Sequence, residues 1–158
     1  MNEIINGILE SLENEYPDYN KYVEDVEQGF QAPCFVVNIL EYNKDNLLEN
    51  ERAYREKETV NIQVLFFPKE NQQKRDEKRE IYEHMYNVSK CTAEIRVNNK
   101  PIRANSSKSI INDNVLQVLV SYDFNTINKI TGNLMTKLIE RSVDVGRETT
   151  STKRTNVH

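Results

Sequence analysis

Few residues in this chain can do nucleophilic or acid–base chemistry at neutral pH. There are two histidines, His84 and His158, and two cysteines, Cys34 and Cys91. A serine or cysteine triad needs a histidine that a third group can orient, and only His84 lies inside the candidate fold. His84 and Cys91 stand seven residues apart and could share a helix face. One imidazole and one thiol do not hold zinc, which takes about three or four ligands. Cys34 adjoins the apolar run Phe35–Leu40, so both thiols are expected to be reduced and buried, with no disulfide, redox or metal role. Adjacent carboxylates occur at Glu24/Asp25 and Asp76/Glu77, but neighbouring acids without a pocket are ordinarily solvated. The chain has no glycine-rich phosphate loop, nucleophile elbow, HExxH or CxxC pattern. The sequence therefore predicts a protein that is not an enzyme, with no metal and no cofactor. His84 reads as a surface or boundary side chain on a helix.

The charges say more than the nucleophiles. From Met1 to Glu27 eight acids, among them Glu24, Asp25 and Glu27, face Lys21 alone. From Lys90 to Lys108 five bases, among them Arg96, Lys100 and Arg103, face Glu94 alone. Two readings stay open. Either these are two solvated faces, or they are complementary patches that meet head to tail between subunits. The net charge of -4 and isoelectric point near 5.3 argue against broad nucleic-acid binding.

The chain has 158 residues, which fits one domain. Hydrophobic residues make up 37% and charged residues 29%, and mean hydropathy is -0.73. That supports a modest core. Trp is absent and eight Tyr outnumber five Phe, a balance suited to half-buried and interface positions. No apolar run approaches the roughly 20 residues that span a bilayer, and the N-terminus lacks the basic start of a signal peptide. No membrane partner is expected, and the protein is expected to stay in the cytoplasm of the cell that makes it.

The elements that must position these residues follow from periodicity. In "NEIINGILESLENEY", residues 2–16, Ile4, Ile5, Ile8, Leu9 and Leu12 fall on one side of a helix that Pro17 ends. Gly7 is a cost in mid-helix. Residues 19–26 predict a short strand. "EQGFQAP" is a turn in which Gly29 can take positive φ and Pro33 forces Ala32 out of the α region. "CFVVNILEY", 34–42, is a strand buried on both faces for part of its length. Residues 43–53 are expected as a polar loop. In 54–67, Val60, Ile62, Val64 and Phe66 share one strand face, and Pro68 stops the strand. Residues 71–91 predict a second helix with Asn71 as N-cap and Ile81, Met85 and Val88 as core stripe, Tyr82 and Tyr86 beside it. Acids interleave its bases, which excludes a DNA-binding stripe. "VNNKP" and "NDN" mark turns in a β region, where Leu116, Val118, Val120, Tyr122 and Phe124 line one face of a strand in hairpin with 102–111. The expected class is α/β (α+β): a mostly antiparallel sheet with two main helices packed on it. A single domain covers 1–145. Beyond Gly146 there is almost nothing to bury, and 146–158 is expected to be a flexible tail.

In order and spacing, these pieces resemble the tail terminator family of tailed phages and phage-tail-like bacteriocins of Gram-positive hosts. The resemblance is carried by the first helix, by Val26-Glu27-Gln28-Gly29 with Pro33-Cys34-Phe35, by the 52–55 segment leading into 62–68, and by Leu116–Phe124. It implies the same α/β fold and a structural task. A homohexameric ring would cap the tail tube, stop its polymerisation, and contact sheath proteins of a contractile tail, as in R-type bacteriocins, or neck and head-completion proteins. DNA would meet it only by passing through the ring lumen. The protein would sit in the particle tail after assembly in the cytoplasm of the host bacterium. On that reading the corner 27–33 is a conformationally fixed bend, and Glu24, Asp25, Glu27, Arg96, Lys100 and Arg103 are the subunit or tube interface. A head–tail connector or another non-enzymatic adaptor is the alternative.

Overall fold

The computed structural model describes residues 2–24, 29–49, 53–70 and 74–129. In chain order they form α1 (Asn2–Glu15), β1 (Asn20–Val23), β2 (Cys34–Glu49), β3 (Ala53–Phe67), α2 (Lys74–Ala93), β4 (Glu94–Val97), β5 (Lys100–Asn112) and β6 (Val115–Lys129). The strands make one six-stranded sheet in the order β1-β2-β3-β6-β5-β4. Only β1–β2 is parallel, and every other pair is antiparallel. This is the expected α+β class, with both helices contributing to one core.

That core forms because three strands alternate in step. Register aligns Phe66 with Leu116 and Phe35, Val64 with Val118 and Val37, Ile62 with Val120 and Ile39, and Val60 with Tyr122. The resulting rows bury against Ile4, Ile8 and Leu12 of α1 and against Ile81 and Val88 of α2. β2 begins with Cys34, Phe35, Val36 and Val37 all buried, the two-sided burial expected of its first half. Met85 is partly buried beside the stripe, whereas Tyr82 and Tyr86 point to solvent.

Gly7 has a positive reason to be in α1. A Cβ built there would lie 2.7 Å from the carbonyl oxygen of Arg96 in β4. The missing side chain lets the helix lie directly on the edge strand. Below the helices, the Tyr122 hydroxyl donates to the Thr92 carbonyl at 2.6 Å, and Ser89 and Ser109 hydroxyls meet at 2.7 Å. These bonds fix the C-terminal end of α2 to β6 and β5.

Both expected turns are two-residue hairpin loops. Asn98 and Asn99 have φ of 51° and 62°, and Asp113 and Asn114 have φ of 48° and 61°. Positive φ at both central positions is the geometry whose twist matches paired strands, and Asn and Asp tolerate it best after Gly.

The polar loop expected over 43–53 is a correction. β2 continues through Glu49 and pairs with β3 down to Tyr54. Strands β2, β3 and β6 thus run on beyond the core as a three-stranded arm. The stretch lacks an apolar alternation because both faces of the arm meet water. Polar cross-strand pairs hold it instead: Lys44–Glu56 at 3.0 Å, Lys57–Asp123 at 3.1 Å, and Asn128 donating to Glu56 at 2.9 Å. The second helix is described from Lys74 and runs to Ala93. The N-cap at Asn71, the turn residues 25–28, residues 130–145 of the expected domain and the tail 146–158 lie outside the described residues.

Candidate functional site

His84 is set among rings, not beside nucleophiles. Its imidazole stands edge-on to Phe66 with centroids 4.9 Å apart, and edge-on to Tyr16 and Tyr19 at 5.1 and 5.7 Å. The Tyr19 hydroxyl is 3.2 Å from His84 Nε2, and a Glu80 carboxylate oxygen is 3.8 Å away. Burial pushes the imidazole pKa down, with the Glu83 carboxylate opposing. Burial likewise raises Glu80 above its usual range. This is a packed boundary cluster that ties α2 to the start of β1. Both cysteines are free thiols, Cys34 fully buried and Cys91 half-buried. Burial pushes both thiols up, away from the thiolate form that reacts. Among the described residues no three of His, Cys, Asp and Glu converge as a metal site.

The charged candidates fall on opposite ends of the sheet. Glu24 ends β1, one edge strand, with φ of 59° and its N–H donating to the Val37 carbonyl at 3.0 Å. Asp25 and Glu27 lie outside the described residues. Arg96, Lys100 and Arg103 gather on the β4–β5 hairpin at the other edge, all exposed. Arg103 Nε already donates to Glu94 at 3.0 Å. Lys21, the base nearest the acids, bridges Glu13 and donates to the Tyr16 and Tyr19 carbonyls. Within one chain, then, the basic trio comes together on one hairpin, and Glu24 follows the strand at the other end of the sheet order.

The arm is the exposed surface that periodicity missed. It exposes Leu40 at 55%, Leu47 at 47% and Ile127 at 65% of their surfaces, with Tyr42 beside them at 41%. β2 carries a register shift at Leu40 and another at Leu47; an extra residue in one strand turns its side chain out of the ladder. On the helix-free face a shallow groove of about 480 Å³ crosses β2, β3, β6 and β5, lined by Leu40, Glu41, Asn61, Lys108 and Leu119. Glu41 is held below the usual carboxylate range by hydrogen bonds from Asn43 and Asn61, and Asp123 by its bond from Lys57. The legible signal was modest: an alternation of charge, Lys44-Asp45 against Glu56-Lys57, where a hydrophobic alternation was sought.

A family model described as phage tail terminator protein matches residues 3–133. The chain belongs to the phage tail terminator family. The match takes in every described element, from α1 to the end of the arm at Lys129. Membership gives the chain a structural role in the tail of a phage particle, among other tail proteins, in a family that is not one of enzymes. No curated protein matches the chain. One solved structure aligns with 84% of this chain and 98% of its own, at 10% identity and a TM-score of 0.36, too slight a likeness to argue from.

Proposed function

We propose that this tail terminator forms a homohexameric ring on the last ring of the tail tube, stops tube polymerisation there, and presents its other surface to sheath or neck proteins. The family match over 3–133 carries the reading. The placement of charge supports the ring: a cyclic assembly needs two different, complementary surfaces on opposite sides of each copy. Glu24 with Asp25 and Glu27 would form one such surface, and Arg96, Lys100 and Arg103 the other. The unit that assembles would be a domain of residues 1–145, with 146–158 as a tail that orders on contact with a partner. DNA would pass through the lumen. A contractile tail of a Gram-positive phage or a bacteriocin, put together in the host cytoplasm, fits the sequence resemblance.

Deleting the gene tests this. The expected result is tubes of uncontrolled length, or tails that never join heads, seen by negative-stain microscopy. Tails of normal length that still join heads in the deletion strain would reject the terminator role and favour a connector or adaptor.

A further inference from the structure

Among the described residues, the arm leaves two strand edges without a neighbouring strand. β1 accompanies β2 only over Cys34–Val37, so the outer side of β2 from Asn38 to Glu49 pairs with nothing described. β5 leaves β6 at Tyr122 to pair with β4, so the outer side of β6 from Asp123 to Lys129 is open likewise. Unpaired rows of N–H and C=O are templates for another strand, and proteins usually blunt them with proline or free lysine. Here neither edge contains proline, and on β6 lysine stands only at the end, Lys129; Lys44 on β2 is held by Glu56, and the two bulges of β2 flank a regular run rather than interrupting it. The edges carry Leu40, Tyr42, Leu47 and Ile127 instead.

We infer that these two edges are each other's partners between copies: β2 of one subunit pairs with β6 of the next, joining the arms into one continuous sheet around the ring. The inference rests on the ring proposed above and names the surface that closes it. The lengths agree. The shifts at Leu40 and Leu47 leave a regular run of six residues, Glu41–Asn46, and the open edge of β6, Asp123–Lys129, has seven. The directions agree too. β2 and β6 are both antiparallel to β3, so with the ring axis along the arm they meet in parallel. Each copy then repeats β2-β3-β6, and closure removes every edge in the arm, as in a barrel.

Charge selects the same pairing. The β2 edge carries Glu41 and Asp45 against Lys44. Lys129 ends the β6 edge, and Lys100, Arg103 and Asp123 line a wedge of about 550 Å³ where β5 turns away from β6, Asp123 being already paired with Lys57. The β2 edge lies on the β1 side of the sheet and the β6 edge on the β4–β5 side. One interface would therefore hold both the strand pairing and the charge pairing, and two copies could not satisfy it by facing each other symmetrically.

Disulfide trapping in the full-length chain tests the pairing. Asp45 and Asn125 both lie opposite Lys57, so within one copy they sit two strand spacings apart, about 10 Å. That exceeds the roughly 7 Å limit between the Cα atoms of a disulfide. A chain with Asp45→Cys and Asn125→Cys, or Asp45→Cys and Ile127→Cys, can be cross-linked through them only between copies. Mild oxidation should yield a ladder of linked dimers and larger species from at least one pair, and no ladder from any single substitution. In parallel, Leu47→Lys with Ile127→Lys alters two exposed side chains and should weaken self-association at least about ten-fold in sedimentation velocity. Self-association without a ladder and without loss in the lysine variant would overturn the edge pairing while leaving a ring built on another surface. A chain that stays monomeric, its β6 edge covered by its own residues 130–158, would overturn it as well. The terminator role stands or falls separately, by the gene deletion.

Discussion

At Gly7 two physical terms oppose each other. Alanine would raise helix propensity by about 1 kcal/mol, yet its Cβ would meet the Arg96 carbonyl oxygen at 2.7 Å, a backbone atom that cannot swing aside. The clash should win, because separating α1 from β4 disturbs Ile8, Ile95 and Val97 in the core. Gly7→Ala is expected to destabilise by about 1–3 kcal/mol, read as a lower urea midpoint; a higher midpoint would mean that propensity dominates. His84 gives a pH signature. Its pKa is depressed by burial, so the unfolded chain takes up a proton near the ordinary value of about 6.5 while the folded chain still resists it. Stability is therefore complete above about pH 6.5 and falls as the pH drops through that window. Glu80, raised by burial, acts oppositely: the folded state accepts its proton first, which offsets the loss as the pH approaches the ordinary carboxylate range of about 4.3. His84→Phe, whose ring suits the aromatic surroundings, should remove the decline that sets in below about pH 6.5. Equal declines in both proteins would assign the effect to another group.

The elements differ in how plainly their residues announced them. β3 and β6 were readable from the alternation Val60-Ile62-Val64-Phe66 and Leu116-Val118-Val120-Tyr122, because one face of each is buried and the other wet. The two-residue turns were readable from Asn-Asn and Asp-Asn. The second half of β2 was not, since a strand with water on both faces has no reason to alternate in hydrophobicity, and its partners Arg55–Thr59 are 64 residues or more from the β6 residues that complete the arm. The separated charges of Arg96, Lys100 and Arg103 could be seen in sequence, but their gathering on one hairpin depends on a tertiary turn. At the junction of α2 and β6, the Tyr122 hydroxyl is fully buried and donates to Thr92. Its pKa is pushed up by burial, so it stays a donor across the working pH range. Tyr122→Phe leaves the Thr92 carbonyl without that bond at near-constant volume. A loss of about 1–3 kcal/mol is expected in chemical denaturation, and a neutral result would show that the carbonyl finds another donor.

For the whole molecule, Glu24 lies at the β1 edge of the sheet and Arg96, Lys100 and Arg103 lie at the β4 edge. Among the described residues this separation is not closed by any ion pair from Glu24 to the trio within one chain. The arrangement becomes useful when copies stand side by side and each acidic edge faces a basic one. Self-association should then weaken as ionic strength rises. Reversing Glu24, Asp25 and Glu27 to Lys should weaken it further, on the order of ten-fold at low salt, while circular dichroism and the urea midpoint stay unchanged. A second variant with Arg96, Lys100 and Arg103 reversed to Glu should fail in the same way alone. Mixing the two variants should restore assembly, since alternating copies put a basic edge against an acidic one at every interface, and a chain carrying both sets of reversals presents the same complementarity with the signs exchanged. It should assemble again, except where Arg103→Glu leaves Glu94 facing a like charge. Recovery in the doubly reversed chain is what separates attraction between edges from damage to either edge. If both single-edge variants assemble like the parent chain at every salt concentration, the charged edges are solvated faces and the strand edges of the arm must hold the ring without them.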